Sequence, residues 1–440
     1  MEPLQDPLQL AEGLRAGHRP RKDWAVGLEY EQFVTEADGR PRAYSGPGGV
    51  QEILRRLQEW SGWAPIEEGG ALLGLRARDG RTVTLEPGAQ LEFGSRPCRN
   101  LTELSREVEG YFEWLQRAVW EFDVRFVALG AHPAAAPEEI ERIPKARYAI
   151  LEPWLREAGE LGVWMMKATA GIQVNLDHED EADAMAKLGL AHALAPVFSA
   201  LGANSPVRAG SWSGFVGWRG HVWMHTDPSR CGIVEAFLRQ DAGFEDYVAW
   251  ALDVPMLFIQ RQGRLLDLRG RSFRQFLEQG FEDQRATLED WDLHLSTLFP
   301  EARFRPQLEL RSLDSQCPQT ALAWCAFLRG LFYDPEALQA ARDLCRSWTR
   351  EDLVAGLEEA NRHGLAGLGP GGVPFLELAR ELLGLVRLPE EEEAWLTPLR
   401  ISVEEEQASP GELLARRFRE EWQQDVARLV QETRCTQPGV

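Results

Sequence analysis

Lysine is almost missing from this 440-residue chain: of its 48 basic residues only four are lysine, at positions 22, 145, 167 and 187. Acidic residues number 69, leaving a formal charge of −21. That balance argues against a nucleic-acid or anionic-membrane surface, although a local basic pocket for a phosphorylated ligand remains compatible with it. Cysteine is sparse too. The six, at 98, 231, 317, 325, 345 and 435, form no CxxC pair, so neither a zinc knuckle nor a disulfide framework is supported.

Other absences narrow the function further. There is no G-x-x-x-x-G-K-[ST] phosphate loop. "GLGPGG" at 367–372 matches G-x-G-x-x-G but follows a helix-like segment, so it reads as a loop before a helix at Phe375 and is assigned no dinucleotide. His221 and His225 of "HVWMH" lack helical context and a glutamate neighbour, which favours packing over zinc. No Ser-His-Asp or Cys-His arrangement surrounds any motif, so no covalent enzyme nucleophile is expected. "MEPLQDPLQLAEGLRAG" has no basic region followed by an apolar run, and a cytoplasmic protein is expected. The most apolar long segment, 182–203, is interrupted by Asp183, Lys187, His192 and Pro196 and reads as a buried helix, with no membrane partner. Repeats are absent, and the acidic runs "PEEEEAW" from Pro389 and "VEEEQ" from Val403 read as solvated helix faces or loops.

What is present is an alternation typical of half-buried sheet. "AVGLEYEQFV", "TVTLEPGAQLEFG", "ATAGIQVNLD" and "RPQLELRSLD" each read as a strand. Helices fall between them. Asn100 followed by Glu103 resembles a capping box ahead of an apolar stripe, Leu104, Val108, Phe112, Leu115, Val119 and Phe122. Leu414, Phe418, Trp422, Val426 and Val430 step by four and predict one C-terminal helix. Strands separated by long helical insertions, without regular βαβ alternation, favour an α+β antiparallel sheet over a doubly wound parallel one.

The strands carry carboxylates in an unusual pattern. Glu29 and Glu31 lie two apart and so share one face. With Glu86, Glu92, Gln173 and Glu309 they would crowd one concave side of the sheet. An E-x-E in a strand is commonly a solvated face, but three glutamate-bearing strands would repel one another without cations. Hard divalent cations suit such a surface. Arg311, sharing a strand face with Glu309, is either its structural partner or a group that stabilises a transferred phosphoryl charge.

Taken in order, these segments together with "PKARY", "MMKATAGIQVNLD", "ANSP", "RGHVWMHTDPSRCG" and "HLSTLFPEARFRPQLELRSLD" resemble the glutamate–cysteine ligases of plants and many bacteria. The resemblance implies one catalytic domain over residues 1–440, its motifs in 24–334 and a helical part in 335–440, built on a glutamine-synthetase-like curved antiparallel sheet with flanking helices. It implies ATP-dependent joining of the glutamate γ-carboxylate to the cysteine amine through a γ-glutamyl phosphate, feeding glutathione or ergothioneine synthesis. It further implies Mg2+, with Mn2+ as a substitute, at Glu29, Glu31, Glu86, Glu92, Gln173 and Glu309. Arg311 and Glu309 would be catalytic. Lys145, Lys167 and Arg311 would contact nucleotide, and Arg230, Arg147, Tyr148 and Asn175 would contact substrate. Two departures from the family pattern, Lys167 and the segment from Ser315, keep open a different amine acceptor; a catalytically silent binding paralogue is a further alternative.

Overall fold

The computed structural model describes Leu4 and residues 9–435. Nine strands form the main sheet: β1 (Val26–Thr35), β2 (Ala64–Glu68), β3 (Ala71–Arg76), β4 (Thr82–Leu85), β5 (Leu91–Gly94), β6 (Arg125–Val127), β7 (Gly171–Leu176), β8 (Ala302–Phe304) and β9 (Leu308–Asp314). They run β8-β9-β7-β1-β5-β4-β3-β2, with β6 added to the end of β1, and every pairing is antiparallel. This is the α+β antiparallel sheet the sequence pattern predicts.

The four predicted strands are recovered with one change. "TVTLEPGAQLEFG" is two strands, β4 and β5, because Pro87 and Gly88 turn the chain and Ala89 takes a left-handed φ of 63°. The turn closes through Glu86 N–H to the Gln90 carbonyl (3.0 Å) and Ala89 N–H to the Glu86 carbonyl (2.8 Å). A hairpin, unlike a single strand, brings Glu86 and Glu92 back beside each other.

The helix at Leu101–Val119 starts where Asn100 accepts a hydrogen bond from the Glu103 N–H (2.9 Å), and its apolar stripe is buried. Its first N–H meets Glu392 Oε1 at 3.0 Å. Glu392 also pairs with Arg329 and is buried, so this member of the acidic run is an internal cap and not a solvated face. Helix Glu181–Leu201 has a length and composition that would also cross a membrane, yet nearly all of it is enclosed by other elements. It forms the spine behind β9.

The C-terminal segment departs from prediction. It breaks into helix Pro410–Arg416, a π-helical turn Arg417–Glu421, and helix Val426–Thr433. Gln423 and Gln424 adopt φ of 50° and 61°, which no continuous helix tolerates. The stripe is nonetheless core: Phe418, Trp422 and Val430 pack with Phe33, Val127 and Leu129 over one end of β1. His221 lies in a short helix, Trp218–Met224, contrary to the expected lack of helical context, and His225 caps it. The His221 ring stacks on Phe215, and the His225 ring lies against that of His221 at 4.3 Å and a tilt of 44°.

Candidate active site

Strand register brings the glutamates together. Glu29 is paired with Gln173 of β7, and Glu31 stands directly opposite Glu92 of β5. Like charges directly opposite in an antiparallel pair are destabilising, so this register is unfavourable by itself. Thr84, opposite Glu92 on β4, donates its hydroxyl to Glu92 at 2.9 Å. Glu31 accepts the Gly171 N–H (2.6 Å) and the Gln173 side-chain amide (2.8 Å).

Glu29, Glu31, Glu86, Glu92, Gln173 and Glu309 all line one cavity of about 330 Å3. Six basic side chains line it as well: Lys145, Arg147, Arg219, Arg303, Arg305 and Arg311. The charges are partly segregated, with Lys145 near Glu86 and Glu92 and Arg219 near Glu31. Glutamates come from β1, β5 and the hairpin turn, while Arg303 and Arg311 come from β8 and β9 with Glu309 between them. Tyr148, Leu151, Met165 and Met166 complete the wall beside Lys145 and Arg147.

The segregation sets the titration of each group. Burial, with the charge of Glu309, pushes Glu29 up to about 7 against the hydrogen bond from Asn175. Burial and the charge of Glu86 push Glu31 up to about 7 against Arg219, Gln173 and Gly171. Glu92 is raised well above the carboxylate range by burial and by Glu86, Glu29 and Glu31. Glu309 is equally buried, yet Arg303 and Arg311 outweigh that and hold it down at about 2. Arg303 is lowered by burial to about 10 and stays charged at neutral pH.

The donor set fits a hard divalent cation. Gln173 Oε1 is buried with no hydrogen-bond partner, on the side chain whose amide donates to Glu31. Among the described residues no group of three or more His, Cys, Asp or Glu side chains is arranged to hold a metal ion by itself.

Three expected contacts lie outside the lining. Arg230 is fully buried, with Nε on Asp227 (2.6 Å), Nη1 on the Thr297 carbonyl (3.1 Å) and Nη2 on the Pro255 carbonyl (2.9 Å). A guanidinium spent in this way has no fork to offer a substrate carboxylate, which corrects the expectation drawn from the motif. Asn175 donates to Glu29 at 2.9 Å and acts through it. Lys167 lies near Glu152 and Glu138, and what it presents toward the hairpin is its carbonyl, against Gly88. Ser315 is buried, its hydroxyl on the Glu31 carbonyl. Neither departure from the family pattern therefore reaches the cavity.

Three arginines of the lining, Arg219, Arg303 and Arg305, have no counterpart among the residues singled out from the sequence; Arg219 is the first residue of the R-x-x-x-W element. It lines the cavity, is 3% exposed, and keeps Nε without a partner. A signal for it existed in that motif, but spacing alone does not separate Arg219 from Arg230.

Comparison with known proteins agrees with this geometry. Residues 25–432 match the model of glutamate–cysteine ligase family 2. The chain belongs to this family. It is 35% identical over 431 residues to the chloroplastic glutamate–cysteine ligase of Brassica juncea, covering 95% of this chain and 82% of that one. With the Medicago truncatula counterpart it shares 33% identity over 443 residues, 98% of this chain and 85% of the other. Among solved structures, a glutamate–cysteine ligase from Francisella tularensis in complex with AMP has the same fold, at a TM-score of 0.58, 13% identity, and coverage of 94% and 90%. The protein is an ATP-dependent ligase that forms γ-glutamylcysteine.

Proposed function

We propose that the two walls of the cavity divide the work of this ligase, and the segregation of charge carries that reading. A carboxylate is a poor acyl donor. Transfer of the ATP γ-phosphoryl group to the glutamate γ-carboxylate makes an acyl phosphate and ADP; attack by the cysteine amine then forms the amide and releases phosphate. Both steps bring anions together, so positioning and charge stabilisation supply most of the rate.

Glu29, Glu31, Glu86, Glu92 and Gln173 would hold Mg2+, with Glu309 at the border of the two walls and Mn2+ as a substitute. The cation supplies neutralisation of phosphoryl charge. Arg311 and Arg303 hold Glu309 ionised and present N–H groups to the phosphates. Arg219 meets a substrate anionic group. Lys145, Arg147 and Tyr148 stand near Glu86 and Glu92, where burial and Arg147 lower the Lys145 amine and make it easier to strip of water. Met165, Met166 and Leu151 keep water from the acyl phosphate. Residues 1–440 act as one catalytic domain in this reading, and a cytoplasmic placement is part of it. The dipeptide thiol is the precursor of larger low-molecular-weight thiols.

The test is ATP hydrolysis coupled to mass detection of product, with glutamate, cysteine and magnesium each omitted in turn. γ-Glutamylcysteine that requires all three supports the assignment. Full turnover without added divalent ion, in the presence of a chelator, removes the role given to the acidic wall.

A further inference from the structure

Behind Arg219 lies a carboxylate with no role so far. Asp314 ends β9 and is 4% exposed, and its Oδ1 stands 4.0 Å from Arg219 Nη1. Its other oxygen accepts the Asn204 N–H at 2.7 Å and the Ser205 hydroxyl at 2.6 Å. Ser205 Oγ in turn accepts the Arg219 backbone N–H at 3.0 Å. The Asn204 side chain is anchored on the Ala128 carbonyl (3.0 Å) and the Ser315 carbonyl (2.8 Å). The "ANSP" element thus ties the carboxylate of Asp314 to the main chain that carries Arg219.

Space has been left for both partners. A β-carbon at Gly130 would lie 2.4 Å from Asp314 Cγ, and one at Gly171 would lie 2.5 Å from Arg219 Nη2. Arg219 Nη2 donates to the Arg311 carbonyl at 3.2 Å, which links this arginine to the strand of the basic wall. The contrast with Arg230 is instructive. Its Nε meets Asp227 at 2.6 Å in a closed pair, whereas Asp314 stays too far from Arg219 for a direct hydrogen bond. At that separation a buried charge still orients a guanidinium without consuming its donors.

We propose that Asp314, held by Asn204 and Ser205, is a positioning residue that turns the unspent edge of Arg219 toward an anionic group of a bound substrate. The proposal rests on the reading of the cavity as the ligase site. Asp314 touches no substrate and acts only through Arg219.

The experiment compares the full-length wild type with Arg219→Lys, Asp314→Asn, Ser205→Ala and the Asp314→Asn/Arg219→Lys double variant. KM for glutamate, cysteine and ATP, kcat and thermal midpoint are measured for each. Arg219→Lys identifies the substrate concerned as the one whose KM rises. Asp314→Asn is expected to raise that same KM about tenfold with little change in kcat, and the double variant to be no worse than Arg219→Lys alone. Ser205→Ala, which leaves the charge in place, should move the same KM in the same direction by less. The proposal is overturned if Asp314→Asn lowers only the thermal midpoint, raises a different KM, or multiplies with Arg219→Lys. Failure of the ligase reading shows separately, as a wild type that makes no γ-glutamylcysteine. In that event calorimetric binding of glutamate and ATP to the same variants decides the role of Asp314 without turnover.

Discussion

On the basic wall of the cavity, Glu309 is clasped by Arg303 at 2.9 Å and by Arg311, and its carboxyl is held at about 2. Across the cavity, Glu31 faces Glu92 with a backbone N–H, a side-chain amide and a threonine hydroxyl as hydrogen-bond partners, and the charge of Arg219 near Glu31 does not outweigh burial and Glu86. Both walls are buried, so desolvation works against every one of these carboxylates. The difference lies in the counter-charge. A wall that is neutralised from within can present its arginines to a ligand, while a wall short of cations must obtain them from the ligand or with it.

The comparison is most easily broken on the basic side. Arg311→Ala should reduce kcat/KM for ligation about a thousandfold, the lower end of what a phosphoryl-facing arginine contributes. Loss of less than tenfold in a steady-state assay would make Arg311 a structural partner of Glu309 only. Next, the walls should respond with opposite sign to loss of a carboxylate charge. Glu309→Gln leaves two buried arginines without their partner and should lower stability by about 3 kcal/mol, whereas Glu92→Gln relieves repulsion and should raise stability of the metal-free protein by up to about 1 kcal/mol. Denaturant melts in chelator read both, and a shared sign would show that the charges are not segregated in the way the lining indicates.

A smaller effect concerns the cation directly. Glu31→Gln should raise the magnesium concentration needed for half-maximal turnover about tenfold, with kcat at saturating magnesium falling less. A magnesium titration that superimposes on wild type would move the metal away from β1. A separate effect lies behind the basic wall, where the His192 imidazole hydrogen-bonds the Ala302 carbonyl of β8 at 3.1 Å, and burial lowers it to about 4. Its unfolded value of 6.5 is higher, so the unfolded state binds the proton more readily. The contribution is complete above pH 6.5 and is lost as pH falls toward 4, up to about 3 kcal/mol by the end of that window. His192→Gln should flatten this part of a stability profile while leaving magnesium dependence unchanged.

Much of the acidic wall was legible before any coordinates. Period-two alternation around Glu29, Glu31 and Glu309 identifies strand and face together, and strand parity places each carboxylate without knowledge of its neighbours. The hairpin reads as one strand in the sequence even though Pro87 and Gly88 are turn residues, because apolar alternation continues on both sides of them. The C-terminal helix was over-extended for a related reason: a spacing of four persists through the π-helical turn, and nothing in the composition marks the left-handed glutamines at 423 and 424. Glu392 reads as a solvated residue in the sequence because Glu390, Glu391 and Glu393 flank it. Only the packing of a distant helix end against it makes it a cap.

The arginines show where local information stops. Arg219 and Arg230 are eleven residues apart, both buried and both in one motif, yet one lines the cavity and the other is consumed by Asp227, Thr297 and Pro255. From the sequence alone come the antiparallel α+β class, the glutamate-bearing faces and the ligase resemblance, because periodicity and residue type act over a few positions. The tertiary structure alone decided the charge state of each glutamate and which arginine is free. Those depend on partners brought from up to hundreds of residues away, and in a buried, poorly screened setting such partners outweigh anything the neighbouring residues contribute.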